Sequence, residues 1–218
     1  KGRDPRQFKE RIRCLRGNVP FYGIFLCILF QMFVSVFSGT FFAYFCIYNL
    51  GHQEWIAPLT TIGAVISIGG AFLVPALVRK TEKRYVLIIS SVLWIAGSAV
   101  LSFVGGYAGS LIYQILCGCA TAIGMAAVWS IVPETADYGE WKNGVAAPGL
   151  VYSICMFILK VTTGFATYGV AAILSLTGFA PALGAAQPES VLSGIRMGIV
   201  IVPLIMSALV IACSFCLK

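Results

Sequence analysis

Only 11% of the 218 residues are charged, whereas 59% are hydrophobic. A water-soluble domain of this length carries charges at about a quarter of its positions, so the composition excludes a soluble globule and indicates a chain solvated by lipid. The net charge of +7 arises mainly from basic clusters beside apolar segments, which indicates membrane topology and anionic lipid rather than nucleic acid binding.

The first 20 residues are polar and basic. Phe8, Ile12 and Leu15 recur at helical spacing on one side, with basic residues opposite. This pattern is typical of a short helix lying on a membrane surface, so residues 1–20 are predicted to form a cytoplasmic interfacial segment. Asn18 then offers an N-cap for the first long helix.

Six long apolar spans follow between residues 21 and 217. They lack period-two alternation, and within lipid only helices or closed barrels satisfy their own backbone hydrogen bonds. The sequence therefore predicts an all-α, six-helix integral membrane bundle. The predicted spans are Phe21–Asn49, Trp55–Val78, Tyr85–Gly105, Tyr107–Val132, Gly149–Leu176 and Val191–Leu217.

The distribution of lysine and arginine sets the predicted orientation. If the N-terminus is cytoplasmic, thirteen of the fifteen basic residues lie in cytoplasmic segments. The outside loops, at residues 51–54, 105–106 and 177–190, contain none. By the positive-inside rule both termini are expected to be cytoplasmic. Six spans with this topology make one half of a twelve-helix transporter, which is expected to consist of two inverted three-helix repeats.

Lys160 lies near the centre of the fifth predicted span. A charge there costs about 2.5–3.5 kcal/mol on the most lenient insertion scale, so it is expected to face a water-filled cavity or a partner carboxylate. Ser153, Thr163 and Thr167 fall on the same helical stripe. We predict that Lys160 and Thr163 contact substrate. A snorkelling lysine, or an acid supplied by another part of the protein, are the alternatives.

Two further spans carry candidate sugar contacts. An amide at Gln31 in the first span could hydrogen-bond sugar hydroxyls, and the ring of Trp129 in the fourth could stack on a pyranose. The alternatives are an interhelical hydrogen bond for Gln31 and interfacial anchoring for Trp129.

Acidic residues follow the fourth predicted span, in what we interpret as a cytoplasmic loop that starts at Pro133. Glu134 and Asp137 are three residues apart and can face the same way, and the basic residues of 79–84 lie on the same side of the membrane. Ion pairs between these segments could close a cytoplasmic gate. The alternative is an ordinary solvated surface.

Enzymatic chemistry has little support in the sequence. There are eight cysteines, mostly within apolar spans, and a single histidine, His52, so no metal-ligand array is predicted. No nucleophile–base pair or buried acid pair is present, and no enzyme is predicted. The chain starts at Lys1 without a methionine or a signal peptide, as a fragment or an excised domain would.

The residues Asp137-Tyr138-Gly139-Glu140-Trp141-Lys142, followed by Asn143-Gly144, resemble a motif of the glycoside–pentoside–hexuronide cation symporters of the major facilitator superfamily. This family includes melibiose and glucuronide carriers. Supporting resemblances, all to the family's helices 7–12, lie at residues 18–21, 44–51, 151–153 with Lys160, and 194–196 with Pro203. The family commonly has an arginine shortly after the motif, often followed by an acid, where this chain has Ala146 and Pro148.

The resemblance implies a secondary transporter of the bacterial inner (plasma) membrane that carries a sugar, glycoside or hexuronide with Na⁺ or H⁺. It implies no cofactor beyond that cation, and it places the cation ligands and much of the sugar site in an N-terminal six-helix half. It also implies a cytoplasmic gate formed by Arg84, Glu134, Asp137, Glu140 and Lys142. An inactive or truncated half-transporter, or a non-transporting scaffold or sensor, is the alternative. The particular sugar, the cation and the direction of transport are left open.

Overall fold

The computed structural model describes residues 15–181, 184 and 187–215. The predicted surface helix falls mainly on residues 1–14, outside that range, and residues 15–17 form a turn. The described part of the chain contains six helices that are long and apolar enough to cross a membrane, and it contains no strand. The predicted all-α, six-helix bundle is confirmed.

The helices agree with the predicted spans in order and number. They are α1 Val19–Tyr44, α2 Ile56–Lys80, α3 Lys83–Val104, α4 Gly106–Asn143, α5 Pro148–Thr177 and α6 Glu189–Ser214. A π-helical segment, Phe45–Asn49, continues α1, and a 3-10 turn, Gln53–Trp55, leads into α2.

Helix α4 is longer than predicted. We expected a loop from Pro133, but the helix continues for eleven residues beyond Val132, to Asn143, and ends at Gly144 in the left-handed conformation (φ 67°). Proline removes only one backbone donor from a helix, and Glu134, Ala136 and Glu140 are strong helix formers. The acidic residues of the family motif therefore project from a rigid helix rather than from a loop.

The main contacts between the helices are symmetric under exchange of the first three with the last three, whereas the weaker α5–α6 and α4–α5 contacts have no comparable counterpart in the described part of the chain. Helix α2 packs on α4 as α5 packs on α1, and α3 packs on α4 as α6 packs on α1. Under the same exchange of helices, the α1–α4 contact corresponds to itself, and so does the α3–α6 contact. Since successive spans alternate in direction, α1 and α4 are antiparallel. This is the arrangement of two inverted repeats, which the sequence predicted only from span count.

Two apolar cores fill the bundle, one towards each end. One is rich in aromatic rings and includes Phe37, Phe41 and Phe42 of α1. The other, at the end that carries the basic clusters, includes Phe21 and Ile24 and is formed mainly by α1, α3, α4 and α5. The polar groups described below lie between and beside these cores.

Asn18 joins the start of α1 to the far end of α4. Its side-chain oxygen accepts a hydrogen bond from the Phe21 amide at 2.9 Å, and its Nδ2 donates to the Thr135 carbonyl at 2.8 Å. The residue is fully buried.

Removing both hydrogen bonds with Asn18→Ala is expected to lower the free energy of unfolding by about 1–3 kcal/mol, because a cap is lost and a buried carbonyl is left unsatisfied. Denaturation in detergent micelles measures this. Asn18→Asp keeps the cap but places a buried carboxylate against the Thr135 carbonyl, so it should be destabilised at least as much as Asn18→Ala. Equal stability of all three proteins would contradict the assignment.

Candidate functional site

A cleft of about 300 Å³, open on one side, lies between α1, α2 and α4, with one ring from α3; we call it the polar cavity after the polar side chains that interrupt its largely apolar walls. Its polar lining consists of hydroxyl, amide and aromatic side chains, with no formal charge. These residues are Ser35, Ser38, Thr60, Ser67, Trp94, Tyr113, Gln114 and Thr121. Such a surface suits an uncharged, hydroxyl-rich part of a ligand, since hydroxyls and amides can pair with it and rings can cover an apolar face.

Glycines bring the walls of the cavity together. A β-carbon added to Gly118 of α4 would lie 2.6 Å from the carbonyl oxygen of Gly63 on α2. The two helices therefore touch backbone to backbone at this point. Small residues at helix crossings permit such approach in membranes, and here they hold α2 against α4 along one wall.

Three buried polar side chains line the cavity, Ser38, Trp94 and Tyr113, and each residue is at most 3% exposed. The Tyr113 hydroxyl interacts with the side chains of Ser38 and Cys117, whereas the Trp94 indole N–H has no hydrogen-bond partner among the described residues. Buried polar groups are normally satisfied, so the free indole N–H indicates a place for water or for a ligand hydroxyl.

Gln31 does not line this cavity. It is buried, and its Nε2 donates to the Ser90 hydroxyl at 2.9 Å, which in turn donates to the Ala120 carbonyl at 2.7 Å. This chain of hydrogen bonds joins α1, α3 and α4. The placement supports the interhelical alternative for Gln31 rather than sugar contact.

Trp129 is half-buried and also lies away from the cavity. It packs against the apolar core at the basic end of the bundle, near the cytoplasmic part of α4 in the predicted orientation. That position supports interfacial anchoring of Trp129, the alternative to stacking on a sugar.

Lys160 and Thr163 both lie on an exposed face of α5. The Thr163 hydroxyl donates to the Leu159 carbonyl of its own helix at 2.9 Å. For the Lys160 ammonium group, the described residues offer no hydrogen bond or ion pair. Ser153 and Thr167 are exposed on the same helix, so α5 presents a polar stripe that the other five helices leave uncovered.

At the basic end of the bundle, one ion pair links α3 to α4. The Lys83 ammonium group lies 2.5 Å from Glu134 and also donates to the Ser130 carbonyl at 2.9 Å. The gate prediction named Arg84 for this side, but Arg84 instead pairs with its neighbour Glu82 at 2.6 Å. The contact between the basic and acidic segments is therefore made by Lys83, which was not among the residues named for the gate.

The other predicted gate residues are not brought together in this conformation. Lys142 donates to the Gly17 carbonyl at 2.7 Å, next to the start of α1. Asp137 and Glu140 are exposed, and neither forms an ion pair within the described part of the chain. Both carboxylates are therefore accessible to a partner segment.

The Lys83–Glu134 pair is expected to be weak. Their side chains are 28% and 62% exposed, and exposed ion pairs contribute about 0.2–1 kcal/mol. A double-mutant cycle with Lys83→Gln and Glu134→Gln should give a coupling energy in that range, decreasing with added salt. A salt-independent coupling well above this range would show that the pair is a permanent structural link and not a switchable contact.

Sequence reasoning did not select Trp94 and Tyr113 for the site. The available signal was a stripe of polar side chains in α3, because Ser91, Trp94 and Ser98 are spaced by three and four residues and all are buried. Only the fold shows that α3 directs its tryptophan towards the cavity between the other helices.

Comparison with known proteins places the chain among transporters. Residues 2–218 match the family described as MFS/sugar transport protein. A putative sulfoquinovose importer of Salmonella typhimurium is 29% identical over 182 residues, covering 82% of this chain and 37% of the relative. The glucuronide carrier protein homolog of Escherichia coli is 25% identical over 197 residues, covering 88% and 42%.

A third relative has similar coverage. The isoprimeverose transporter of Lactiplantibacillus pentosus is 27% identical over 205 residues, which cover 90% of this chain and 41% of the relative. The chain therefore spans about two fifths of the length of the curated relatives it matches.

Proposed function

Because the chain belongs to the MFS/sugar transport protein family, we propose that it forms six helices of a secondary transporter that moves a sugar, glycoside or hexuronide together with Na⁺ or H⁺. The transporter lies in the bacterial inner membrane with both termini of this chain in the cytoplasm. An N-terminal six-helix half completes it and supplies the acidic cation ligands.

The polar cavity is the observation that carries this proposal. It places hydroxyl, amide and aromatic groups among helices that are long enough to cross a membrane, and the buried Trp94 indole N–H there has no partner among the described residues. An unsatisfied buried donor costs about 1–3 kcal/mol. A hydroxylated solute in the cavity offsets that cost by accepting the hydrogen bond of the indole.

The uncovered stripe of α5 adds charge selectivity. Lys160 is a fixed cation in a helix that must lie in the membrane, and it has no described partner, so water or substrate has to solvate it. A fixed cation stabilises an anionic group on the substrate. Two of the relatives are named for sulfoquinovose and for a glucuronide, and among the candidate substrates we favour the hexuronide.

Alternating access requires that cation binding change the relative stability of two states. The exposed carboxylates Asp137 and Glu140 and the weak Lys83–Glu134 pair are suited to contacts that form in one state and break in the other. Arg84 and Lys142 supply further charges at the same end.

Uptake into proteoliposomes tests this function. The chain, joined to its six-helix partner half, is reconstituted and given a labelled glucuronide or an uncharged glycoside, with an imposed Na⁺ or proton gradient. We expect accumulation that disappears when an ionophore collapses the gradient. If neither labelled compound is bound or taken up, the result favours the inactive-half or scaffold alternative.

A further inference from the structure

Helix α4 extends beyond the membrane at the basic end of the bundle. Helix α3 begins at Lys83, within the charged residues of 79–84, so Lys83 marks the level at which the apolar part of α3 starts. Its ion pair with Glu134 places that residue of α4 at the same level. Residues 135–143 therefore lie outside the hydrocarbon core, over about 13 Å at 1.5 Å per residue. We call these residues the α4 tip.

The α4 tip presents an aromatic ring and two carboxylates that the described part of the chain leaves uncovered. Trp141 is 78% exposed. It lies about 10 Å along the helix beyond Glu134. The headgroup zone in which tryptophan anchors helices is only about 5–7 Å deep. Asp137 and Glu140 are also exposed, and neither forms an ion pair with a described residue.

These groups form one continuous surface. Asp137 and Trp141 are four residues apart, so their side chains share a face of α4. A large ring that is exposed beyond the lipid, beside two carboxylates, is suited to a segment that is both basic and partly apolar.

The chain itself brings such a segment to the α4 tip. Lys142 donates to the Gly17 carbonyl at 2.7 Å, and Asn143 Nδ2 donates to the Arg16 carbonyl at 3.4 Å. These two hydrogen bonds attach the turn before α1 to the end of α4. Residues 1–14 lie outside the described range, and they join the bundle at this turn.

The composition of residues 1–14 complements the α4 tip. They contain six lysines and arginines against two acids, with Phe8 and Ile12 among them. An arginine can pair with a carboxylate through two N–H groups, and it can stack on the face of a tryptophan ring.

The distances along the chain allow these contacts. The four residues from Arg13 to Gly17 reach at most about 14 Å when extended. Lys142, which contacts Gly17, is only about 7.5 Å along the helix from Asp137. The arginines nearest the turn can therefore reach both carboxylates of the α4 tip.

We propose that residues 1–14 dock on the α4 tip, where their arginines pair with Asp137 and Glu140 and cover the ring of Trp141. Exposed ion pairs are individually weak, but a segment tethered at Gly17 has an effective concentration in about the millimolar range, so weak contacts suffice. An anionic membrane surface is the competing occupant for a basic segment, but it would leave Trp141 uncovered. Docking needs only the six helices and this segment, and does not depend on which solute is transported.

Trypsin cleavage tests this docking, because trypsin cuts after lysine and arginine and the cleavage rate follows the population of the undocked segment. The complete transporter is placed in nanodiscs of phosphatidylcholine, with or without phosphatidylglycerol, and the released peptides are measured by mass spectrometry. We expect cleavage within residues 1–14 to be about tenfold faster in the triple variant Asp137→Asn, Glu140→Gln, Trp141→Ala. The increase should be the same in both lipid compositions.

The matched control carries Glu189→Gln and Phe103→Ala. These substitutions remove an exposed acid and an exposed ring at the opposite end of the bundle. Cleavage within residues 1–14 should then be as slow as in the unsubstituted protein. Because the replaced side chains are exposed, we expect the melting temperatures of both variants to be unchanged.

Three results would overturn the proposal. The first is equal cleavage of the triple variant and the unsubstituted protein. The second is protection that appears only with phosphatidylglycerol, and in both proteins, which would assign residues 1–14 to the membrane surface. The third is faster cleavage throughout the triple variant with a lowered melting temperature, which would show that the α4 tip stabilises the bundle instead of docking the segment.

Discussion

Replacement of Gly118 by alanine is expected to destabilise the bundle by about 1–3 kcal/mol, the usual cost of overpacking. The added β-carbon would lie 2.6 Å from the Gly63 carbonyl oxygen, and backbone cannot move aside as a flexible side chain can. Helix α2 would have to shift away from α4, which also opens the wall of the polar cavity. Thermal unfolding in detergent measures the loss.

Gly69→Ala in α2 is the matched control for this substitution. A β-carbon there meets nothing within 4 Å, so the higher helix propensity of alanine should leave stability unchanged or raise it by up to about 1 kcal/mol. If Gly118→Ala and Gly69→Ala behave alike, the backbone contact between α2 and α4 does not hold the site together.

Removing the charge of Lys160 is expected to abolish most transport. Lys160→Met keeps the length of the side chain but not the cation, and loss of a charge-assisted contact to substrate should lower the uptake rate at least tenfold, or by about 1.4 kcal/mol or more. Lys160→Arg retains the charge and should retain measurable uptake. The comparison is made in the proteoliposome assay at equal protein content.

Because Lys160 is exposed and has no described partner, neither variant is expected to unfold the bundle. Loss of transport would then reflect function and not stability. Near-normal uptake by Lys160→Met would remove this lysine from the passage and favour a snorkelling role.

The architecture was predictable because the membrane simplifies the problem. In lipid, a long apolar span almost always forms a helix, because a helix satisfies its own backbone hydrogen bonds. Hydropathy alone therefore located six helices, and most of the helix ends, to within a few residues. The end of α4 was missed because Pro133 was read as a terminator, whereas Asn18 and Lys142 secure the extension through contacts made across more than a hundred residues of sequence.

The candidate site was less predictable, for a related reason. Intramembrane polarity identifies residues that need a partner, but not which partner they have. Gln31 and Lys160 were both polar residues within apolar spans, yet Gln31 is satisfied by Ser90 and Lys160 is not satisfied by any described residue. The pairing of Glu134 with Lys83 rather than with Arg84 likewise depends on helix rotation, which no pattern in the sequence fixes.

The repeat symmetry was also hidden from the sequence, since the first and last three helices share no obvious residue pattern. It is visible only in which helices pack together. Packing in membranes depends on small residues and shape more than on particular side chains, so two repeats can diverge in sequence while keeping their contacts.

Water accessibility at position 160 tests most directly whether α5 borders an aqueous passage. In a cysteine-free background of the complete transporter, Lys160→Cys and Leu204→Cys are each treated with a charged, membrane-impermeant thiol reagent. Both positions are exposed in the six-helix bundle, but Leu204 lies on the apolar face of α6. Since the thiolate is the reactive form, we predict modification at position 160 at least about tenfold faster. Equal, slow modification at both positions would place Lys160 against acyl chains and contradict the transport account.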